Sequence, residues 1–492
     1  VNPVLGFTPD APPATPGILR DCSNLIPYEG GMRAANSATA QGSAARAGEV
    51  RGAVTITKLD STRRVFAGTT AKIEELSGTT WTDRSRAGAP AYALGATSWW
   101  SFAQFGDNTY AVNLDTVVQK STTGAFADVS GAPKARVLRS LVTSSGGFLF
   151  ACNTVDATFG TSPDRWWCSA LNNGDDWTVN PSVTLCNSGR LLGADGGITT
   201  AEKLGNDRIV IYKDRSLYVG SFVGAPAVWS FQEYPNVGCV GLNAVVDIGT
   251  AHIFVGRDNF WMFDGARPVS IADGQLRQWF INNRSSDYAY LTQVIFDRTY
   301  KLIYIFFPSA GSTSCDKCIV YHLGTKQWGR MDLSVETVFL YNSSTVTWDT
   351  LSAATWDTWT DTPSWDFVAS GSDVISYFNT SHTMQLLNGT PGASYMTLDD
   401  MGDDETVTRL TQCSLRYAVR PSTATVTAYY SMATGATPST GLTISAYDVP
   451  AAADNKFKLR QTARFHRLQF NFTGSCSVTG YNVDRLQPAG GR

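Results

Sequence analysis

Charge is scarce in this chain: 16% of its 492 residues are Asp, Glu, Lys or Arg, and the formal net charge is −3. Proteins that grip nucleic acid by neutralising phosphates carry a basic excess or a clustered basic stripe, and neither is visible along the linear sequence. Histidine is scarcer still. The four copies, His252, His322, His382 and His466, each stand alone, with no HxH, HExxH or His-x3-His spacing. The three convergent ligands of a catalytic zinc are therefore not supplied. A GxSxG elbow, a P-loop and a Rossmann fingerprint are also missing. No window holds 18 apolar residues, so no membrane span is expected. The opening VNPVLGFTPDAPPATPG lacks the basic and apolar regions of a signal peptide.

The nine cysteines, at 22, 152, 168, 186, 239, 315, 318, 413 and 476, are odd in number and widely scattered. That is not the framework of a small disulfide-stapled domain, so reduced thiols and assembly in a cytoplasm are expected. Cys315 and Cys318 form one CxxC, without the second pair of a zinc ribbon. Lying in GSTSCDKC between two apolar runs, they read as a solvent-exposed hairpin tip.

What the chain does have is glycine (44) and aromatics (14 Trp, 19 Tyr, 24 Phe). Turn-formers and aromatics together favour half-buried strands over helices, and the fold class expected is all-β. Short β-branched or aromatic runs recur: VFAGT, TYAVN, FLFAC, RIVIYK, HIFVGR, LIYIFF and VISYF, starting at 65, 109, 148, 208, 252, 302 and 374. Their spacings cluster near the ~40–50 residues of a four-stranded propeller blade. Second runs, such as KIEELSGTTW and CIVYHLGTKQW, follow several of them. A six- or seven-bladed β-propeller over residues 51–390 is expected. WWCSALNNGDDW (166–177) also resembles the Asp-box turn of sialidase-type propellers, with Ala170, Asn172, Gly174, Asp176 and Trp177 at the aligned positions. Its expected role is a structural hairpin between outer strands.

Residues 1–50 read as an extended N-terminal arm. Pro3, Pro9, Pro12, Pro13, Pro16 and Pro27 fix φ and remove ladder donors. Such an arm often lies across a neighbouring subunit, so Pro12, Pro13, Pro16 and Arg20 are candidate interface residues. Deleting 1–33 is expected to weaken assembly and leave the propeller folded. The island TVTWDTLSAATWDTWTDTPSWDF (345–367) places Trp348, Trp356, Trp359 and Trp365 in one short insertion. Four indoles so close make an apolar patch that fits a partner or the propeller itself. From 391 to 492 strict alternation in TRLTQCSLRYAV and KFKLRQTARFHRLQFNF predicts a C-terminal antiparallel β-sandwich or barrel. The acidic run LDDMGDDE (398–405) lacks the EF-hand pattern and reads as a solvated linker.

No catalytic site is expected. A glycosidase needs two carboxylates facing across a cleft, and Asp258, Asp264, Asp273 and Asp287 follow β runs in turns, where Asp bonds its own backbone. A sialidase-like or carbohydrate-binding propeller, the alternative, would also need convergent arginines. Arg208, Arg257, Arg277 and Arg298 could supply the charge.

Four stretches together resemble the tail nozzle, or tail-tube hub, proteins of short-tailed (podovirus-like) bacteriophages. They are TPGILRDCSNLIPYEGGMRAA (15–35), the block from RIVIYKDRSLYVG through HIFVGRDNFWMFDGARPVSI (208–271), the Trp-Asp tandem (348–366), and RFHRLQFNFTGSCSVTGYNVDRLQPAGGR (464–492). The resemblance implies a virion structural protein of the tail, not an enzyme and without cofactors. Its protomer would form a homohexamer below the portal and its adaptor ring. The channel of that ring would be the exit path for genomic DNA, passed without sequence-specific binding, and the ring would carry tail fibre or spike proteins.

Overall fold

The computed structural model describes residues 2–12, 15–60, 62–88, 91–193, 195–342, 373–433, 443–449 and 455–488. Seven four-stranded antiparallel units follow one another along it. Blade 1 is Val50–Thr57, Arg63–Thr69, Ile73–Ser77 and Thr80–Asp83. Blade 2 is Ser101–Phe105, Asn108–Asn113, Thr116–Ser121 and Ala127–Asp128. Blade 3 is Lys134–Thr143, Gly146–Asp156, Gly160–Cys168 and Asn187–Arg190. Blade 4 is Ile198–Lys203, Arg208–Lys213, Ser216–Gly224 and Val228–Pro235. Blade 5 is Val245–Asp247, His252–Val255, Phe260–Phe263 and Pro268–Ser270. Blade 6 is Gln293–Asp297, Leu302–Phe307, Cys315–His322 and Trp328–Val335.

Blade 7 takes Thr337–Asn342, Asp373–Phe378 and Met384–Gly389 in sequence, but its fourth strand is Ser37–Ala40 from the other end of the chain. The first strand of each blade packs on the first strands of its neighbours, and blade 7 packs on blade 1 in the same way. The chain is a seven-bladed β-propeller.

Burial explains why the ring closes. Each of the seven recurrent runs is the second strand of a blade, covered on both faces, and LIYIFF is buried at every position. Both faces of such a strand need a neighbouring blade, which only radial stacking supplies. Apolar clusters fill the gaps: Phe66, Trp100 and Phe126 between blades 1 and 2, Phe150, Trp166 and Trp229 between blades 3 and 4, and Val50, Phe339 and Phe378 between blades 7 and 1.

The C-terminal region is a β-sandwich. One sheet runs Gly6–Phe7, Ile18–Ser23, Ala393–Leu398, Phe465–Thr473, Thr423–Ser431 and Thr443–Asp448. The other runs Leu25–Tyr28, Gly31–Ala34, Ser477–Pro488, Thr408–Val419 and Lys456–Ala463, and it continues into blade 6 through the pairing of Arg330 with Leu25. Leu410, Leu415, Val426, Phe457, Leu468 and Phe470 fill the space between them.

The N-terminal segment is extended, and its short strands pair within its own chain. Strands of two to six residues cannot stand alone, and here each adds to an open sheet edge. Asp10 also reaches the helix Arg277–Asn283 between blades 5 and 6, accepting from the backbone N–H of Gln278 at 2.5 Å and of Trp279 at 3.0 Å. Phe7 packs edge-on against Trp279. The described residues of 2–34 therefore belong to the sandwich and its seam with the propeller, and 37–40 to blade 7, so the boundary expected at residue 50 moves.

Candidate functional site

In a propeller the axis is the place where residues from every blade can meet. Here the axial cavity has a volume of about 330 Å³ and is lined by Ala53, Ser101, Arg139, Glu202, Asn243 and Thr337, among others. Arg139 and Glu202 sit on the innermost strands of blades 3 and 4. Arg139 Nε donates to Glu202 Oε2 at 2.8 Å, and its Nη1 donates to Ser101 Oγ of blade 2 and to the Leu138 carbonyl, both at 3.0 Å. One guanidinium thus ties three blades together, its charge cancelled by the carboxylate beside it. Gln293 does the same for blades 6 and 7: its Nε2 donates to the Glu336 carbonyl at 2.7 Å and its Oε1 accepts from Val338 N at 2.9 Å. None of these residues was singled out from the sequence. Each is a lone polar residue in a strand, without a motif to mark it.

A second cavity, about 230 Å³, lies between blades 6 and 7, lined by Arg33, Asn36, Asp297, Tyr300, Asp373 and Asn388, among others. Arg33 stacks its guanidinium 4.3 Å from the Tyr300 ring centroid. Burial pushes the Asp297 carboxyl above the ordinary aspartate range, against two backbone N–H bonds from Tyr300 and Thr299 that pull it down. Planar polar groups beside an aromatic ring suit a polar, ring-shaped ligand.

The four histidines have structural partners. His252 is fully buried; its Nδ1 lies 2.7 Å from the Tyr212 hydroxyl and its Nε2 lies 2.7 Å from the Lys203 carbonyl. Burial lowers its pKa, so the ring is neutral, with Nε2–H donating to the carbonyl. His322 Nδ1 accepts from Gly324 N and Thr325 N in a turn. His466 approaches Thr408 within the sandwich. His382 pairs with Glu336 at 2.6 Å. Among the described residues, no three His, Cys, Asp or Glu side chains cluster as metal ligands do.

The expected site residues are dispersed. Trp348, Trp356, Trp359, Trp365 and Pro13 lie outside the described residues. The tract 345–367 is inserted between Asn342 and Asp373, which pair across blade 7. Pro12 and Pro16 are exposed. Arg20 is not free: its Nε bonds Asp399 Oδ1 at 2.6 Å and its Nη1 bonds the Pro9 carbonyl at 2.6 Å.

The acidic run is likewise no solvated linker at its start. Asp399 takes Arg20, and Asp400 takes Arg467 through bonds of 2.7 and 2.9 Å, all inside the sandwich. Cys315 and Cys318 are not at an exposed tip but fully buried in the third strand of blade 6, where a bulge between Cys315 and Lys317 turns both thiols into one apolar cluster. Burial raises both thiols far above the ordinary range.

Arg208 and Arg298 lie at the blade ends that carry first-to-second-strand turns, whereas Arg257 lies at the opposite ends, paired with Asp214. Arg277 donates to the Asp258 carbonyl, and Asp264 accepts the backbone N–H groups of Ala266 and Arg267 as turn residues do. The Asp-box-like segment runs from the end of the third strand of blade 3 into the connection to the fourth. Trp177 is buried there, and its Nε1 donates to the Gly174 carbonyl at 3.0 Å.

A scan of family models and a search of curated proteins found no match. Solved structures similar to this chain include BBS1N in complex with ARL6DN, at 9% identity and a TM-score of 0.40, covering 72% of this chain and 96% of that one. YCF48 bound to D1 peptide matches at 12% identity and a TM-score of 0.34, over 62% of this chain and 86% of that one. RRP9 WD40 repeats match at 10% identity and a TM-score of 0.38, over 62% and 88%.

Proposed function

We propose that this chain is a structural protomer of a short-tailed bacteriophage tail, and that copies of it, about six by resemblance, form a nozzle ring below the portal and adaptor. The observation that carries this reading is the stitching of propeller to sandwich by one N-terminal segment. Ile18–Ser23 lies in one sandwich sheet, Leu25–Tyr28 joins the other to blade 6, and Ser37–Ala40 completes blade 7. Two units that share strands cannot swing on a linker, and a rigid block suits a wall that holds pressure. The axial cavity of one propeller is far too small for a DNA duplex and is crossed by Arg139 and Glu202. The DNA path in this reading is the axis of the ring, between protomers.

A second reading, a carbohydrate-binding propeller, is favoured by the cleft of Arg33, Tyr300, Asp297 and Asp373 between blades 6 and 7. Measuring the mass of the purified chain, alone and with portal and adaptor, separates the two. Ring-sized assemblies support the nozzle. A monomer under all conditions that binds or cleaves a sialoside reporter supports the second reading and removes the first.

A further inference from the structure

The cleft between blades 6 and 7 holds polar groups that the chain itself leaves without partners. Arg33 lines it from the N-terminal segment. Its guanidinium lies 4.3 Å from the Tyr300 ring centroid and 5.4 Å from that of Tyr28. Among the described residues it donates no hydrogen bond and forms no ion pair, and its Nε is buried without an acceptor. Tyr304 lines the same cleft and is 4% exposed. Its hydroxyl has no hydrogen-bond partner among the described residues, yet the oxygen keeps some solvent access. Buried hydroxyls are ordinarily bonded. This one opens into the cleft.

Two carboxylates line the space as well. Asp297 receives the Thr299 and Tyr300 N–H groups on Oδ1, at 2.9 and 3.2 Å. Asp373 receives Asn342 Nδ2 on Oδ1 at 2.9 Å. In each, Oδ2 has no donor among the described residues. Burial raises the Asp297 carboxyl, and the charge of Asp373 adds to the rise while that of Arg33 opposes it. The three groups therefore share one small space.

That combination narrows the ligand. An anion would suit Arg33 but meets two carboxylates, and a cation would suit the carboxylates but meets Arg33. Like charges brought together are costly. Hydroxyls donate and accept at once, so neighbouring hydroxyls on one ring can receive from Arg33 and Tyr304 and give to Asp297 and Asp373. The cavity, about 230 Å³, is below the ~300 Å³ at which pockets for drug-sized ligands begin, which leaves room for one ring. We propose that the cleft binds a single neutral pyranose through adjacent hydroxyls and rejects sugars that carry a carboxylate or an ammonium group. The inference rests on the second reading above, to which it adds the ligand class, and it does not depend on whether copies of the chain form a ring.

The test is saturation-transfer NMR and titration of the full chain with methyl glycosides of glucose, galactose and mannose, each beside its uronate and its amino sugar. At least one neutral glycoside should bind, roughly tenfold or more tighter than its charged counterparts. Tyr304→Phe removes only the hydroxyl and should weaken that glycoside about tenfold with an unchanged melting temperature, and Asp373→Asn should do the same. A uronate that binds as tightly as its hexose overturns the inference and leaves the second reading standing. So does a sugar, sialosides included, whose binding neither substitution alters, which would move the second reading to another site. A lower melting temperature in Tyr304→Phe would show the hydroxyl engaged within the fold and also overturns the inference. No glycoside bound at all, whether or not calcium occupies the carboxylates instead, overturns both.

Discussion

The carboxylate of Glu336 holds the closure of the propeller from both of its oxygens. Oε1 lies 2.6 Å from Nδ1 of His382, and Oε2 accepts from the backbone N–H of Val50 at 3.0 Å. Glu336 immediately precedes blade 7, His382 turns between its second and third strands, and Val50 opens blade 1. The backbone carbonyl of His382 accepts from Arg46 N as well, and Arg46 pairs with Glu74 of blade 1. First and last blades are thus joined by one small polar network in addition to their shared apolar cluster.

Glu336→Ala leaves the Val50 N–H and the His382 ring without their acceptor. A cost of about 1–3 kcal/mol is expected. Chemical denaturation of the variant should show a lower midpoint with an unchanged slope. An unchanged midpoint would mean that the network does not support closure.

Arg20→Ala removes the partner of Asp399, whose side chain is 5% exposed. Breaking a buried pair from one side costs about 3 kcal/mol or more. Replacing Asp399 by Asn as well should recover part of the loss, because the uncompensated charge is gone. A loss below about 0.5 kcal/mol, the scale of a surface pair, would return Arg20 to the list of interface candidates.

Deleting residues 1–33 takes two strands out of one sandwich sheet and two whole strands, Asn2–Pro3 and Leu25–Tyr28, with most of a third, out of the other. The expected outcome is exposure of apolar surface around Met396, Leu415 and Phe470 and rapid proteolysis of residues 391–492, with the propeller core protected longer. Equal resistance of the truncated and full chains to limited proteolysis would contradict the topology. A milder version is Asp10→Ala, which loses the cap on the helix before blade 6 and should cost about 1 kcal/mol.

Burial holds His252, His322 and His466 below the ordinary histidine value of 6.5. The unfolded chain then takes up protons before the folded one does. Stability from these groups is complete above the unfolded value and is lost as pH falls through the folded ones. Melting temperatures between pH 7.5 and 5 should decline with acidification, and more gently in His252→Gln. Identical slopes in the two proteins would refute this account of His252.

The parts of the fold that could be read from the chain are those whose burial is locally complete. VFAGT through VISYF stand out because second strands are covered on both faces. First strands are harder to see, since residues such as Ser101, Arg139 and Glu202 face the axis. Irregular spacing has a local cause: the interval of 60 residues contains the loop between Cys168 and Asn187, and that of 72 contains 343–372. What stayed hidden depends on remote partners. Ser37–Ala40 has no pattern of its own and pairs with a strand whose Leu386 carbonyl lies 347 residues from Thr39. Asp399 looked solvated because Arg20 is far away in sequence, and the bulge that buries Cys315 with Cys318 leaves no mark in CxxC.

Electron microscopy of the purified chain mixed with portal and adaptor tests the central claim most directly. The account predicts a closed ring of propeller-bearing protomers around a channel wide enough for duplex DNA. Isolated single propellers under every condition, with a sugar held at the axis or in the cleft beside Tyr300, would contradict it.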